Sequence, residues 1–286
     1  MLAVGAPVLL DPKLARLHQA LGTSGRLLVA YSGGVDSAFL AWVAHQVLCD
    51  QMLAVIADSP SLARTHLEDA LAFARENGIP VEAIETRELE NPDYARNDAM
   101  RCFHCKDELF TVMEQYRAAH GFDAIAYGVN TDDQGDFRPG QQAALQHHVL
   151  APLLEAGLGE AEIRELSRQA GLRVWDKPAS ACLSSRIEYG RPVTPEALQV
   201  VEQGEDALRA LGFRQFRVRH HGDIVRIEIA REELPRAMTA EMAREFTAIF
   251  RRLGFKFVTL DLEGFRSGSM NSLLPAEELK PGVRSS

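Results

Sequence analysis

Over the first half of this chain, short apolar runs alternate with helical stretches, and that alternation limits the fold more than any other feature. The runs are residues 26–31 (RLLVAY), 52–57 (MLAVIA), 81–85 (VEAIE) and 123–129 (DAIAYGV). Helical patterns fill the intervals at 37–48, 61–77 and 106–120, and Gly78 stands where a helix C-cap glycine belongs. Strands rich in Val, Ile, Leu and Ala with helices between them form βαβ units. They predict an α/β fold with a parallel sheet covered by helices on both faces.

The pattern changes after Gly171. The stretch RVWDKPASACLSSRIEYGRPVTP holds three prolines and no sustained periodicity. A structureless segment of that length is expected to be a functional loop or linker. A helix at 195–211 follows, then two alternating runs, 214–221 (RQFRVRHH) and 223–230 (DIVRIEIA), joined as a hairpin at Gly222-Asp223. One further helix, 233–253, and a last strand, 256–262 (KFVTLDL), complete a small α+β unit. Beyond about Gly264 the chain is expected to be loosely ordered. The expected domains are therefore 1–175, an active-site loop at 176–194, and a C-terminal α+β domain at 195–286.

The 286 residues carry a net charge of −9. That balance argues against a nucleic-acid partner, which needs a basic face. No apolar stretch approaches the roughly 20 residues that span a bilayer, so no membrane partner is expected. The N-terminus lacks the basic region of a signal peptide, which makes a cytoplasmic chain the better reading. Four cysteines are too few for a disulfide scaffold at this length, and clustered thiols in a reducing compartment point to metal binding or catalysis.

The first βα junction reads Ser32-Gly33-Gly34-Val35-Asp36-Ser37. Glycines there let backbone N–H groups approach an anion closely, and the following helix N-terminus adds a favourable dipole. Ser32 and Ser37 offer hydroxyls. Asp36 has two candidate jobs, capping the helix or meeting a magnesium ion carried by phosphates. No Gly-Lys-Ser/Thr follows, so this is not a Walker A loop. The plain alternative is a tight turn with an Asp cap.

Cys102 and Cys105 form a Cys-x-x-Cys, and Cys182 stands in the long loop. Three thiolates suit a [4Fe–4S] cluster with one iron left open. Zinc would need a fourth ligand, and His104 inside the pair is awkwardly placed. Lys177, Arg186 and Arg191 flank Cys182 in sequence, and nearby cations favour the nucleophilic thiolate. Cys49, in the helix after the glycine turn, reads as a small buried hydrophobe. Arg217 and Arg219 share one face of a strand and would clamp a phosphate, with Glu228 across the hairpin to orient an arginine. Asp132, Asp133 and Asp136 follow the fourth strand as candidates for magnesium or polar substrate groups, or as a solvated acidic turn.

The six-residue string resembles the pyrophosphate loop of the PP-loop ATP pyrophosphatases. Five stretches extend the likeness: AYSGGVDSAFL, NDAMRCFHCKDELF, YGVNTDDQGDFRPG, VWDKPASACLSSRIEYG and FRVRHHGDIVRIE. Together they resemble the LarE-type ATP-dependent sulfur transferases. The resemblance implies ATP and Mg2+ as cofactors, with Ser32, Gly33, Gly34, Asp36 and Ser37 at the phosphates and Ser59 and Gly128 at adenine and ribose. It implies a small-molecule substrate, pyridinium-3,5-biscarboxylic acid mononucleotide, adenylated at a carboxylate and converted to a thiocarboxylate for the nickel-pincer nucleotide cofactor. Ser185, Arg186, Arg217 and Arg219 would meet that substrate's phosphate. In single-cysteine members the residue matching Cys182 gives up its own sulfur. In three-cysteine members, residues matching Cys102, Cys105 and Cys182 hold a [4Fe–4S] cluster, so this chain looks like the cluster-bearing kind. A homo-oligomer is also implied. Rival readings are a tRNA thiolase, an ammonia-using adenylating synthetase and a non-catalytic nucleotide-binding module.

Overall fold

The computed structural model describes residues 12–134, 139–178, 181–266 and 269–270. Its strands are β1 (Leu27–Ala30), β2 (Met52–Asp58), β3 (Val81–Glu85), β4 (Ala124–Tyr127), β5 (Phe216–His221), β6 (Ile224–Ile229) and β7 (Phe257–Leu260). The helices are α1 (Pro12–Gly22), α2 (Val35–Leu48), α3 (Arg64–Glu76), α4 (Pro92–Ala95), α5 (Arg101–His120), α6 (Pro139–Gln146), α7 (Pro152–Glu155), α8 (Glu160–Gln169), α9 (Pro195–Ala210), α10 (Leu234–Ala237) and α11 (Ala240–Arg252).

The first sheet is all parallel, in the order β3-β2-β1-β4. Every residue of central β1 is buried, which is why its sequence shows a continuous apolar run rather than alternation. Leu27 and Val29 face a core built with Leu17 and Leu21 of α1, Phe39 and Leu40 of α2 and Phe73 of α3. Leu28 and Ala30 face the other way, toward Phe110 and Met113 of α5 and Ala143 and Ala144 of α6. The sheet thus has helices on both faces, as the alternation predicts.

In the second sheet, ordered β5-β6-β7, β5 and β6 are antiparallel and β6 and β7 parallel. Phe246 and Phe250 of α11 and Leu208 of α9 close its core over Val218, Val225 and Ile227. A separate apolar cluster of Ala63, Tyr94, Leu183, Ile187, Val193, Leu198 and Val201 joins the two sheets' surroundings.

Five expectations change. The helix expected at 106–120 begins at Arg101, so Cys102 and Cys105 lie in its first turn. The helix expected at 233–253 is broken, because Thr239 accepts a hydrogen bond from the Met242 N–H and starts α11 afresh. The segment read as a structureless functional loop or linker carries local order: Leu183–Arg186 forms a buried 3-10 turn, and Ile187 bridges to His220 of β5. Cys49 is exposed, since it ends α2 with a left-handed φ of 51° and leaves the apolar face. The described residues past Gly264 are packed: the Phe265 N–H donates to the Ile229 carbonyl (2.8 Å), and Met270 is buried. Among the described residues no helix is long and apolar enough to cross a membrane.

Candidate active site

The glycine turn lies at the carboxyl edge of the parallel sheet, between β1 and α2, where open α/β folds place ligands. Gly33 takes a left-handed φ of +70°, and a Cβ there would meet Ala70 of α3 at 2.5 Å. Only glycine fits both demands. The Ser32 and Ser37 hydroxyls are 3.0 Å apart, and Ser37 Oγ also accepts from the Ser32 N–H (3.1 Å). Gly128, just past β4, packs under the turn. A Cβ on it would lie 2.7 Å from the Ser37 backbone nitrogen.

Asp36 does not cap α2, whose N-cap is Gly34 without a side-chain bond. Its Oδ1 is buried with no hydrogen-bond partner. Burial raises its pKa to about 6, against a hydrogen bond from Asn130 that lowers it, with Asp133 adding to the rise. An under-satisfied carboxylate beside an anion-binding turn suits a cation carried by phosphates. The acidic turn after β4 is used differently. Asp132 Oδ2 accepts from the Glu160 N–H (2.7 Å) and caps α8, and Asp133 Oδ2 accepts from the Asn130 N–H (3.1 Å). Both thus take backbone partners, Asp133 buried and Asp132 exposed, and Asp136 lies outside the described residues. Ser59 is buried, donates to Glu88 Oε1 and accepts from the Ser61 N–H (2.9 Å). Next to it a cleft of about 300 Å³ opens at the carboxyl ends of β2 and β3, lined by Asp58, Pro60, Arg64, Glu85, Thr86 and Arg87.

The Cys182 turn docks on this edge. The Leu183 N–H donates to the Ser61 carbonyl (2.8 Å), and Ser61 Oγ meets the buried Tyr94 hydroxyl at 2.6 Å. Cys182 Sγ lies 3.0 Å from Ser184 Oγ. Burial opposes ionisation of Cys182, but Arg101, the Ser184 hydroxyl and Arg186 outweigh it and hold the thiol below its usual pKa. Burial pushes Cys105 up, and Cys182 and Glu88 push it further. Cys102, open to solvent, also feels the charge of Cys182. The three thiols foreseen as one set are therefore electrostatic neighbours. Among the described residues, no three His, Cys, Asp or Glu side chains converge on a single metal ion.

Arg101 is the residue the sequence reading missed. It is 3% exposed, donates to Asn97 Oδ1 and to the Ser184 carbonyl (3.0 Å), and lies over the Tyr189 ring. Burial works against its charge, and the groups that favour it most are the Cys182 and Cys102 thiols, not a carboxylate. A guanidinium so placed calls for negative charge at the thiols. The cations flanking Cys182 in sequence behave otherwise. Lys177 binds Asp69 and the Gly33 carbonyl, and Arg191 turns to Glu188. Only Arg186 acts on the thiol.

The arginines foreseen at a substrate phosphate are partly committed. Arg186 is 1% exposed, pairs with Glu205 (2.8 Å) and donates to the Ala181 and Cys182 carbonyls (2.7 and 3.0 Å), so it staples the thiol turn shut. Ser185 Oγ reinforces it by donating to the Cys182 carbonyl (2.7 Å). Arg219 is buried against Glu228 (2.8 Å), the orienting role expected of that glutamate, and reaches the Ser185 carbonyl (3.2 Å) and Ser269 Oγ (3.0 Å). Arg217, on the same strand face, stacks over Phe265 at 4.8 Å. Burial, with repulsion from Arg186, pushes it down to about 10. Three arginines thus crowd one region beside the Cys182 turn.

The family model for NAD synthase matches residues 15–106, which include the glycine turn. A protein of unassigned activity from Synechocystis sp. is 43% identical over 266 residues, 93% of this chain and 99% of that one. Pyridinium-3,5-bisthiocarboxylic acid mononucleotide synthase of Lactiplantibacillus plantarum is 34% identical over 274 residues, covering 94% of this chain and 98% of that protein. The chain belongs to the LarE-type sulfur transferases. A probable tRNA sulfurtransferase of Methanobrevibacter smithii is also similar, 23% identical over 207 residues, 52% of its length. As a LarE-type chain this is an ATP-dependent PP-loop enzyme. Its glycine turn and its Cys182 turn meet the same sheet edge through Ser61 and Lys177.

If Asp36 must be ionised to receive magnesium, kcat/KM for ATP should fall below an apparent pKa near 6, the value burial gives it. Asp36→Asn should remove that acid limb along with most of the rate. In the nucleotide-free fold the linkage has the opposite sense. The folded state holds the Asp36 proton more tightly than the unfolded one, so ionisation costs stability as pH rises from the ordinary value of 3.8 through about 6. Thermal melts with and without Mg2+ and ATP check both halves: the ligands should restore stability above pH 6 in the unaltered chain and much less in Asp36→Asn.

Proposed function

We propose that this enzyme adenylates a carboxylate of pyridinium-3,5-biscarboxylic acid mononucleotide and replaces the activated oxygen with sulfur, a step toward the nickel-pincer nucleotide cofactor. The observation that supports this most is the joining of an anion-binding turn to a cation-flanked thiol turn on one sheet edge, in a chain 34% identical to a synthase of the bisthiocarboxylic product. A carboxylate oxygen would attack the α-phosphorus of ATP and release pyrophosphate from the Ser32–Ser37 turn. A sulfur nucleophile would then attack the acyl carbon and expel AMP, a far better leaving group than oxide. Asp36 would meet Mg2+, the turn's N–H groups would hold the phosphates, and adenosine would lie toward Ser59, Gly128 and the neighbouring cleft. Arg217, with Ser185 and Arg219 beside it, would receive the substrate's phosphate, with Arg186 bracing from behind.

Cys102, Cys105 and Cys182 fit a [4Fe–4S] cluster in donor chemistry. They are three mutually interacting thiols next to a buried guanidinium, and a cluster spreads its ligands over separate irons rather than one point. When bound, such a cluster would supply an open iron able to carry a transferable sulfide. In this reading residues 1–175 form the nucleotide unit, 176–194 the thiol loop and 195–286 the substrate unit of a cytoplasmic homo-oligomer. A tRNA thiolase remains the second reading on the Methanobrevibacter similarity, but the net charge of −9 speaks against an RNA face.

Two measurements test the proposal. Pyrophosphate release from ATP should depend on the mononucleotide dicarboxylate and not on tRNA, and stimulation by tRNA alone would favour the second reading. Anaerobically purified protein should contain iron and acid-labile sulfide that Cys102→Ala removes. An iron-free unaltered chain would shift the sulfur source to Cys182 itself.

A further inference from the structure

Lys177 stands at the start of the thiol loop, yet its side chain serves the nucleotide turn. Its ammonium donates to the Gly33 carbonyl (2.9 Å) and to Asp69 Oδ2 (2.6 Å). Asp69 is held in turn by Arg173, which donates to its Oδ1 (2.6 Å) and its backbone carbonyl (2.9 Å). The Lys177 backbone is fixed as well, because Arg164 donates to its carbonyl (3.0 Å) and to that of Trp175 (2.8 Å). On the other side, Gly33 packs against Ala70, whose carbonyl accepts from the Tyr31 hydroxyl (2.9 Å). The first glycine of the turn is therefore clamped between α3 and Lys177.

That clamp matters because the turn contains Gly33-Gly34, a pair whose shared peptide plane has two accessible orientations when nothing holds it. A trans peptide points its N–H opposite to its carbonyl. With the Gly33 carbonyl bound to the ammonium, the Gly34 N–H faces the Ser32 side of the turn, 3.5 Å from Ser32 Oγ. There it is aimed where an anion would be gripped. Were the plane to turn over, a carbonyl would replace that donor and repel phosphate.

We infer that Lys177 is a positioning residue that locks the Gly33–Gly34 peptide in its anion-binding orientation, and so makes the phosphate grip depend on docking of the segment that leads to Cys182. A loose thiol loop would mean a weak nucleotide turn. ATP would then be bound well only when the sulfur-bearing turn is already in place, which protects the acyl-adenylate from being made without its nucleophile. The inference rests on the nucleotide reading of the Ser32–Ser37 turn and is independent of which species delivers sulfur.

The test uses the full chain and its Lys177→Met, Lys177→Arg and Asp69→Asn variants. ATP with Mg2+ is titrated calorimetrically, and hydrogen exchange of residues 172–188 is followed in nucleotide-free protein. Lys177→Met is expected to weaken ATP by about tenfold or more and to speed exchange in that segment. Asp69→Asn should shift both readouts the same way by less, and Lys177→Arg should recover most of both. Unchanged ATP affinity in Lys177→Met overturns the inference. So does weakened affinity with unaltered exchange, which would make Lys177 a direct phosphate ligand and no brace. If Lys177→Met does not fold, Asp69→Asn decides, and no shift in either readout overturns the inference. Failure of the unaltered chain to bind ATP would remove the nucleotide reading itself, and this inference with it.

Discussion

Cys182→Ala is expected to lower thiocarboxylate formation by about a thousandfold or more, while pyrophosphate release dependent on the dicarboxylate mononucleotide persists. The separation follows from where the two chemistries sit. In the proposed reading the phosphates are gripped by Asp36 and the Ser32–Ser37 turn, whose hydroxyls bond to each other while the Cys182 thiol bonds to Ser184. The thiol turn keeps its shape without the sulfur, because Arg186 and Ser185 bind the Cys182 carbonyl rather than its side chain. What disappears is the one thiol held below its usual pKa by Arg101, Ser184 and Arg186 despite its burial. The prediction holds whether Cys182 gives its own sulfur or anchors a cluster. Iron content tells the two apart. Simultaneous assay of pyrophosphate and thiocarboxylate checks it, and parallel loss of both products would place Cys182 in the adenylation step.

Gly128→Ala is expected to weaken ATP by about ten- to a hundredfold with little effect on the fold of the C-terminal sheet. The three atoms nearest the added methyl would all be backbone: the Ser37 nitrogen at 2.7 Å, and the Asp36 carbonyl carbon and Ser37 Cα at 2.9 Å each. Backbone cannot swing aside as a long side chain can. The start of α2 must move, and with it the Asp36 carboxylate and the N–H groups proposed to meet phosphate. Overpacking of this kind costs about 1–3 kcal/mol, and each 1.4 kcal/mol is about tenfold in affinity. Titration with ATP and Mg2+ reads the effect. Gly190→Ala is the contrast, since no atom lies within 4 Å of a Cβ there and its φ of +80° is a matter of local strain alone. It should leave ATP affinity near that of the unaltered chain.

The elements were legible because their signals are local. Continuous burial of β1 wrote itself into RLLVAY, and the need for closely approaching backbone into Gly33-Gly34. What escaped was set by contacts between distant segments. Nothing beside Cys102 in the sequence says that Arg101 will be buried with its donors on Asn97 and Ser184. Nothing near Cys182 says that Lys177 will leave it for Gly33, or that Arg186 will be closed off by Glu205. The Ser59–Glu88 pair and the capping of α8 by Asp132 are of the same kind: polar side chains taking partners that packing brings within reach. Charge counted along a loop was therefore a poor guide to charge around the thiol, whereas the spacing of apolar residues was a good guide to the sheet.

The most direct test of the account is the mass of the product. Anaerobic protein, ATP, Mg2+ and pyridinium-3,5-biscarboxylic acid mononucleotide should give AMP, pyrophosphate and a mononucleotide in which one carboxylate oxygen has been exchanged for sulfur. Consumption of ATP with recovery of only the unaltered dicarboxylate or its amide would contradict it.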